Sequence, residues 1–267
     1  MGIDASAVIH PSAVVEQGAR IGPGCTVGPF CTVGPEVTLA ARVTLKSHVV
    51  VTGWTEVGED STIFPFASIG EVPQDLKYSG ERTRLVIGRR ARIREGVTMN
   101  TGTEGGGGVT RIGDDGLFMA GAHVAHDAQV GHRVIMVNNS ALAGHCVLGD
   151  DVIIGGLSGV HQWVRIGKGA IIGAVTMVTH DVIPYGLVQG PRGGLDGLNL
   201  VGLKRRGVKR EDIMALRAAF QALAQGEGAF QDRARRLQDD AAGQSAYVQE
   251  IVAFVLGDSD RSFLTPG

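Results

Sequence analysis

A mainly β chain, wound as a parallel β-helix of six-residue repeats and followed by an α-helical segment, is the fold class the sequence predicts. Three observations predict it. Stepping by six from Ile3 lands on Ile, Val or Leu without a break through Ile9, Val15, Ile21 and onward to Ile69. The fifth residue of each hexad is small or β-branched, as at Ala7, Ala13, Ala19, Cys25, Cys31 and Val37. Glycine makes up 41 of 267 residues, about twice the usual share of ~7%, and often follows the aliphatic position, as at Gly22, Gly28, Gly131 and Gly149. No Gly-X-Y triplet register accompanies it, which excludes collagen.

A period of six does not fit a helix of 3.6 residues per turn, but it suits short strands joined by tight corners. Three hexads close a triangular coil of about 18 residues, and successive coils stack at roughly 4.8 Å. Residue i then lies under residue i+18. The aliphatic column becomes the core, and neighbouring coils satisfy each other's backbone groups. The run resumes at Ile87, Ile93 and Met99, and again from Ile112 to Val178. The two interruptions, near 72–86 and 104–111, read as loops extruded from the prism, the second a glycine run (TEGGGG) open to reading as a plain spacer. After Val182 the register stops, and Pro184, Gly186, Gly190, Pro191, Gly193 and Gly194 read as a linker. The β-helix is therefore expected over 1–190 and a helical domain over 191–267. From Lys209 the pattern turns helical, with Ile213, Leu216, Phe220 and Leu223 on one face. Further helices are expected at 229–241 and 245–256. The periodicity does not give the hand of the coil.

Charged residues are 19% and the formal net charge is −2, so there is no bulk electrostatic case for nucleic acid or a membrane surface. No apolar run approaches the roughly 20 residues of a transmembrane helix, and MGIDASAVIH lacks the basic-then-apolar order of a secretory signal. Three cysteines form an odd, sparse set that fits a reducing compartment. A cytoplasmic protein is the expectation.

The 18-residue coil also gathers candidate chemistry. It sets His126 beneath Gly144, Asp127 beneath His145 and Ala143 beneath His161, with His123 close by. Imidazole is a good general base near neutral pH. Asp127 could orient His126 or favour its protonated form. The Gly144 N–H could approach a developing oxyanion, because no side chain shields it. Histidines from neighbouring chains could instead bind zinc. No Gly-X-Ser-X-Gly elbow accompanies the histidines. The first loop carries Asp75, Lys77 and Tyr78, and Lys204-Arg205-Arg206 with Lys209-Arg210 forms a local basic cluster.

Several segments carry a family resemblance: IHPSAVVEQGARIGP, GPFCTVGP, LKSHVVV, FASIGEVPQDLKYSGE, AHVAHDAQVG, LAGHCVLGD, GVHQWV and NLVGLKRRG. The chain resembles the acyl-[acyl-carrier-protein]–UDP-N-acetylglucosamine O-acyltransferases of lipid A biosynthesis over almost its whole length. The motifs QDLKY, AHVAHD and GLKRRG are far more specific than the hexads. The resemblance implies a left-handed β-helix with a C-terminal helical domain, assembled as a homotrimer with sites between subunits. It implies transfer of an R-3-hydroxyacyl group from acyl carrier protein to the glucosamine 3-OH of UDP-N-acetylglucosamine. By position, His126 is the expected base, Asp127 its orienting group and Gly144 the oxyanion donor. His123 and His145 would line the sugar site, and Gln74, Asp75 and Lys77 would contact the sugar and the acyl hydroxyl. His161, Gln162, Asn199 and Arg205 would hold the nucleotide and phosphates. Gly173, Ala174 and Met177 mark the expected acyl-length region, with Ala174 or Met177 capping the cleft and favouring a moderate chain. No metal and no bound cofactor are implied; the phosphopantetheine arm arrives on acyl carrier protein, for which the basic cluster is a landing site.

The chain departs from the family pattern at two places. Asn100-Thr101 stands where a histidine–arginine pair is usual, and Val201 where an acidic residue is usual. The first departure raises N-acylation of a 3-amino sugar nucleotide as an alternative. Other readings are an acetyl-coenzyme A-dependent hexapeptide acetyltransferase, a zinc-dependent carbonic anhydrase and a non-catalytic β-helix.

Overall fold

The computed structural model describes residues 2–238, 240–259 and 261–266. Two-residue strands recur every six residues from Val8–Ile9 to Met177–Val178, lengthening to three or four residues at a few places. In each short strand the second residue points inward: Val33, Leu45, Leu142 and Ile154 are all fully buried. The strands form three sheets of 11, nine and eight strands, the faces of a triangular prism. Pairing follows the 18-residue coil, with Val8 opposite Thr26 and Thr26 opposite Thr44. Burying each Val, Leu or Ile contributes about 1.5–3 kcal/mol, so the column supplies the main driving force.

The corners explain how the chain turns so tightly. Non-glycine residues such as Arg42, Asp127, His145 and Trp163 adopt φ of 59°, 60°, 61° and 67°. This left-handed conformation costs roughly 1–2 kcal/mol per residue. It also aims the corner amide at a carbonyl of the coil before it: Arg42 N donates to Pro23 O at 2.8 Å, and His145 N to His126 O at 3.0 Å.

Val57 pairs with Ile87, and Ile87 with Ile112, so these two wraps are longer than 18 residues. Both excursions leave from the edge where the nine-stranded face turns into the eight-stranded face. They are shorter than the sequence suggests, because four-residue strands, Arg84–Ile87 and Val109–Ile112, already rejoin the sheet. Near the other end the register does not stop. Val182 bridges to Ile166 and Val188 pairs with Ile172, a slip of two residues that keeps both in the core column. The buried Asp181 makes the shortened corner possible, its carboxylate accepting the Arg165 amide at 2.8 Å. Gly186–Gln189 is thus a strand rather than linker, and Gly194–Leu198 folds back antiparallel against it.

Among the described residues four α-helices follow: α1 (Leu200–Arg205), α2 (Arg210–Gln225), α3 (Phe230–Arg236) and α4 (Ala246–Leu256). α2 buries Ile213, Leu216, Ala219 and Leu223, and α4 buries Val248, Ile251, Val252 and Val255. α3 ends earlier than the sequence pattern suggests, and Ala241–Gln244 forms a separate 3-10 turn. Glu250 of α4 ties the helices to the prism by accepting from the Tyr185 hydroxyl and pairing with Lys168 at 2.8 Å. Among the described residues, no helix is long and apolar enough to cross a membrane. The three cysteines are free and buried; burial pushes the Cys146 thiol up to about 12.

Candidate active site

The edge between the nine- and eight-stranded faces carries Ala125-His126-Asp127, Ala143-Gly144-His145 and His161-Gln162-Trp163 on successive coils. His126 and Asp127 are buried. Asp127 accepts from His126 Nδ1 at 2.8 Å through Oδ2, from the Thr103 hydroxyl at 2.6 Å and from the Thr103 amide at 2.8 Å. Its own amide donates to the Thr110 hydroxyl at 2.7 Å. With Nδ1–H committed to the carboxylate, His126 Nε2 is left with a free lone pair. Asp75, from the first loop, holds its Oδ2 4.0 Å from that Nε2.

The ring of His126 packs closely against Gly144. A methyl group at Gly144 would come 2.4 Å from His126 Cε1 and 2.6 Å from Nε2, so only glycine allows this approach. The Gly144 N–H has no acceptor among the described residues. Gly102 and Gly106 serve Asp127 in the same way: a Cβ at Gly106 would sit 2.2 Å from Asp127 Oδ2, and one at Gly102 2.7 Å from Oδ1. Within the glycine run it is Gly106 that fits closely against the carboxylate; a Cβ at Gly105, Gly107 or Gly108 would meet nothing within 4 Å.

His145 stands edge-on to His126 with ring centroids 5.0 Å apart, and stacks on Trp163 at 3.8 Å. Its Nδ1 is 3.7 Å from Asp127 Oδ2. Burial pulls the pKa of His145 below the ordinary histidine value, against the raising effect of Asp127. Burial, then the neighbouring His126, lowers that of His123. His123 Nδ1 is 2.7 Å from the Thr98 hydroxyl. The nitrogens of His126 and His145 and the Asp127 carboxylate lie within 4.8 Å of one another. Asp127 accepts three hydrogen bonds from Thr103 and His126, which ties the group into a hydrogen-bonded relay.

A groove of about 440 Å³ runs from His126 down the nine-stranded face, bordered by Gln74, His123, Gly144, His161, Gln162 and Met177. His123, Ala141, Gly159 and Met177 are successive strand partners, and the two small residues leave a shallow floor. The thioether of Met177 lies over Gly159, where a Cβ would meet its Cε at 3.0 Å. A second cavity, of about 300 Å³, brings Asp75 and Lys77 together with Thr103 and His145.

Most residues singled out in the sequence thus meet at one edge. Gly173 and Ala174 lie at the next corner, beside Met177. Asn199 and Arg205 do not join them within one chain. Asn199 is buried, caps α1 by accepting from Gly202 N at 2.9 Å and donates to Gly169 O at 2.9 Å. Arg205 is exposed in the last turn of α1. Asn100 and Thr101 fasten the root of the first loop: Asn100 Nδ2 donates to Val72 O at 2.9 Å, and Thr83 and Thr101 bond at 3.1 Å. Sequence reasoning missed Thr103 and Thr110 as partners of Asp127. Their signal is their place at the two ends of the second loop.

A prism of hexapeptide coils that seats a His–Asp pair under the glycine amide of the next coil defines a hexapeptide-repeat transferase. Residues 18–53 match the bacterial transferase hexapeptide family, and residues 181–264 match the family described as Udp N-acetylglucosamine O-acyltransferase, domain 2. The chain is 72% identical over 204 residues to the acyl-[acyl-carrier-protein]–UDP-N-acetylglucosamine O-acyltransferase of Paracoccus denitrificans, covering 76% of this chain and 77% of that one. It is 50% identical over 220 residues to the Rhizobium etli enzyme of the same name, covering 82% and 80%. A crystal structure of a UDP-N-acetylglucosamine acyltransferase superposes with a TM-score of 0.93 at 39% identity, covering 97% of this chain and 99% of the other. The Campylobacter jejuni acyltransferase gives 0.91 at 35% identity, covering 97% and 100%. The chain belongs to the acyl-[acyl-carrier-protein]–UDP-N-acetylglucosamine O-acyltransferase family, and its fold is the left-handed parallel β-helix with a C-terminal helical domain. The 3-amino acceptor and acetyl-coenzyme A alternatives are not favoured by these relatives.

Proposed function

We propose that the protein transfers an R-3-hydroxyacyl chain from acyl carrier protein to the 3-hydroxyl of UDP-N-acetylglucosamine, the first step of lipid A biosynthesis. The observation that carries this reading is the His126 ring held by Asp127 and packed against Gly144. His126 Nε2 takes the proton of the sugar hydroxyl as its oxygen attacks the thioester carbonyl. The Gly144 N–H donates to the oxyanion of the tetrahedral intermediate. The C–S bond then breaks, and His126 returns its proton to the phosphopantetheine thiolate. Atoms and charge balance without a metal or a resident cofactor.

His123 and His145 border the sugar, with burial keeping both neutral donors or acceptors. Gln74, Asp75 and Lys77 approach the sugar and the acyl hydroxyl from the first loop, while His161 and Gln162 face the nucleotide. Asn199 and Arg205 act in a homotrimer, where a neighbouring copy brings them to this edge. Acyl carrier protein, an acidic partner, lands on the cluster Lys204, Arg205, Arg206, Lys209 and Arg210. The acyl chain lies along Ala141 and Gly159, and Met177, beside Gly173 and Ala174, closes the far end and favours a moderate length. The protein works in the cytoplasm, where its carrier-bound donor is made.

The test is an acyl-transfer assay with a length series of R-3-hydroxyacyl carrier proteins and UDP-N-acetylglucosamine. Ester formation with a maximum at moderate length is expected. No transfer from any donor overturns the reading, and best turnover with the longest donor overturns the role of Met177.

A further inference from the structure

The C-terminal segment crosses the histidine edge as a strap. Asp181, fully buried, anchors it. Its carboxylate accepts from Arg165 Nε at 2.7 Å and from the Ser259 hydroxyl at 2.7 Å. Its amide donates to Ser262 O at 2.9 Å, and its carbonyl accepts from Leu264 N at 2.8 Å. A bridge between Leu195 and Pro266 holds the end beyond. This anchoring uses backbone groups and Ser259, so the Arg261 side chain is free for other work. Arg261 places Nη2 2.8 Å from His161 Nδ1.

A guanidinium only donates hydrogen bonds. His161 Nδ1 must therefore accept, and the ring proton must sit on Nε2. The other partner of Nδ1 is the Gln162 carbonyl, at 3.2 Å, which only accepts and would require the opposite tautomer. The two neighbours thus compete for the state of the ring, and the shorter, charge-assisted bond decides. His161 borders the groove that holds His123, His126 and Gly144.

We propose that Arg261 is a positioning residue: it fixes His161 with its proton on Nε2, so that the ring offers a hydrogen-bond donor to the diphosphate of the sugar nucleotide. The identity of that substrate rests on the function proposed above; the tautomer does not. A strap at the chain's end thereby sets the binding state of a groove residue 100 positions earlier in sequence.

The experiment uses the full-length protein with ¹⁵N-labelled histidine. Long-range ¹H–¹⁵N spectra without substrate read the His161 tautomer, its signals assigned by their loss in His161→Ala. Steady-state kinetics are run alongside on Arg261→Ala and Arg261→Lys. In Arg261→Ala, His161 is expected to move toward the Nδ1–H form. KM for UDP-N-acetylglucosamine should rise roughly tenfold, the scale of one lost hydrogen bond, with kcat little changed. Arg261→Lys keeps a donor and should restore both readouts in part. An unmoved tautomer in folded Arg261→Ala overturns the inference, as does a moved tautomer with unchanged kinetics. A wild-type protein that transfers no acyl group overturns the functional reading instead, since the spectra are recorded without substrate.

Discussion

Two edges of the same prism use one backbone device for opposite ends. Where the eight-stranded face turns into the 11-stranded face, six successive left-handed corner residues, Arg42, Asp60, Arg90, Asp115, Arg133 and Asp151, are stacked in alternating charge. Arg42 meets Asp60 at 2.6 Å, Arg90 meets Asp115 at 2.6 Å and Arg133 meets Asp151 at 2.8 Å. These pairs stay in solvent; the Arg42 and Asp60 side chains are 56% and 43% exposed. At the next edge the same corner slot holds Asp127, His145 and Trp163, and the Asp127 side chain is 1% exposed. What differs is the cover. Both extruded loops leave from the histidine edge and bring Asp75, Thr103 and Gly106 over it. The comparison teaches that the corner slot fixes where a side chain stands, whereas the loops decide whether it meets water or a substrate.

The largest expected effect breaks the histidine edge. His126→Ala should lower acyl transfer by at least roughly a hundredfold, the scale of general-base removal, and leave the fold intact, because the ring lies outside the aliphatic column. Gly144→Ala forces the ring away by the contact described above, so it should also cost activity without unfolding. Turnover assays with circular dichroism on each variant check this. Near-normal transfer by folded His126→Ala would remove the base from the mechanism.

Much of this edge was legible in advance, because stacking at 18 residues is arithmetic. His126 under Gly144 and Asp127 under His145 follow from the hexads alone, as does the inward aliphatic column. What escaped the pattern was held by irregular backbone. The two-residue slip before Val182 hides inside a corner, where Asp181 substitutes a carboxylate for the missing chain. Thr103 fits the small fifth-position column, and only the loop's path turns its hydroxyl to Asp127. Asn199 is placed by the resemblance and not by the hexads, and within one chain it stands away from this edge, capping α1 and bonding Gly169. The strap carrying Ser259, Arg261 and Leu264 has no period at all, since it docks by scattered contacts, chiefly hydrogen bonds to the buried Asp181 and the Arg261 bond to His161.

An intermediate effect separates the two edges by pH. At the histidine edge, burial holds His123 and His145 below the ordinary value near 6.5. The unfolded chain therefore takes up protons before the folded one does as pH falls. Stability contributed by the neutral rings is complete above about 6.5 and lost as pH drops from there through the lowered folded values. At the charged edge, hydrogen bonds from Arg42 and Arg90 hold Asp60 and Asp115 below the ordinary value near 3.8. Their contribution is complete above that value and lost only below it. Urea midpoints measured from pH 8 downward should fall first under about pH 6.5, and His145→Gln should flatten that first fall. An unchanged first fall in a variant lacking both His123 and His145 would show that other groups set it.

The smallest effect is expected on the charged edge. Arg133 spans Asp151 at 2.8 and 3.1 Å and Asp150 at 3.2 Å, with half of its side chain exposed. Solvent-exposed pairs of this kind contribute about 0–1 kcal/mol, so Arg133→Ala should lower the unfolding free energy from urea titration by no more than that and leave acyl transfer within about twofold. The backbone gives a sharper control. Arg133 sits at φ 56°, a conformation that glycine adopts without the roughly 1 kcal/mol or more charged to a Cβ. Arg133→Gly loses the same ion pairs as Arg133→Ala yet relieves the corner, so it should be the more stable of the two. If alanine and glycine behave alike, corner strain is not what the hydrogen bond between coils offsets. If either variant loses acyl transfer while folded, the charged edge is coupled to the histidine edge and the division of labour between them fails.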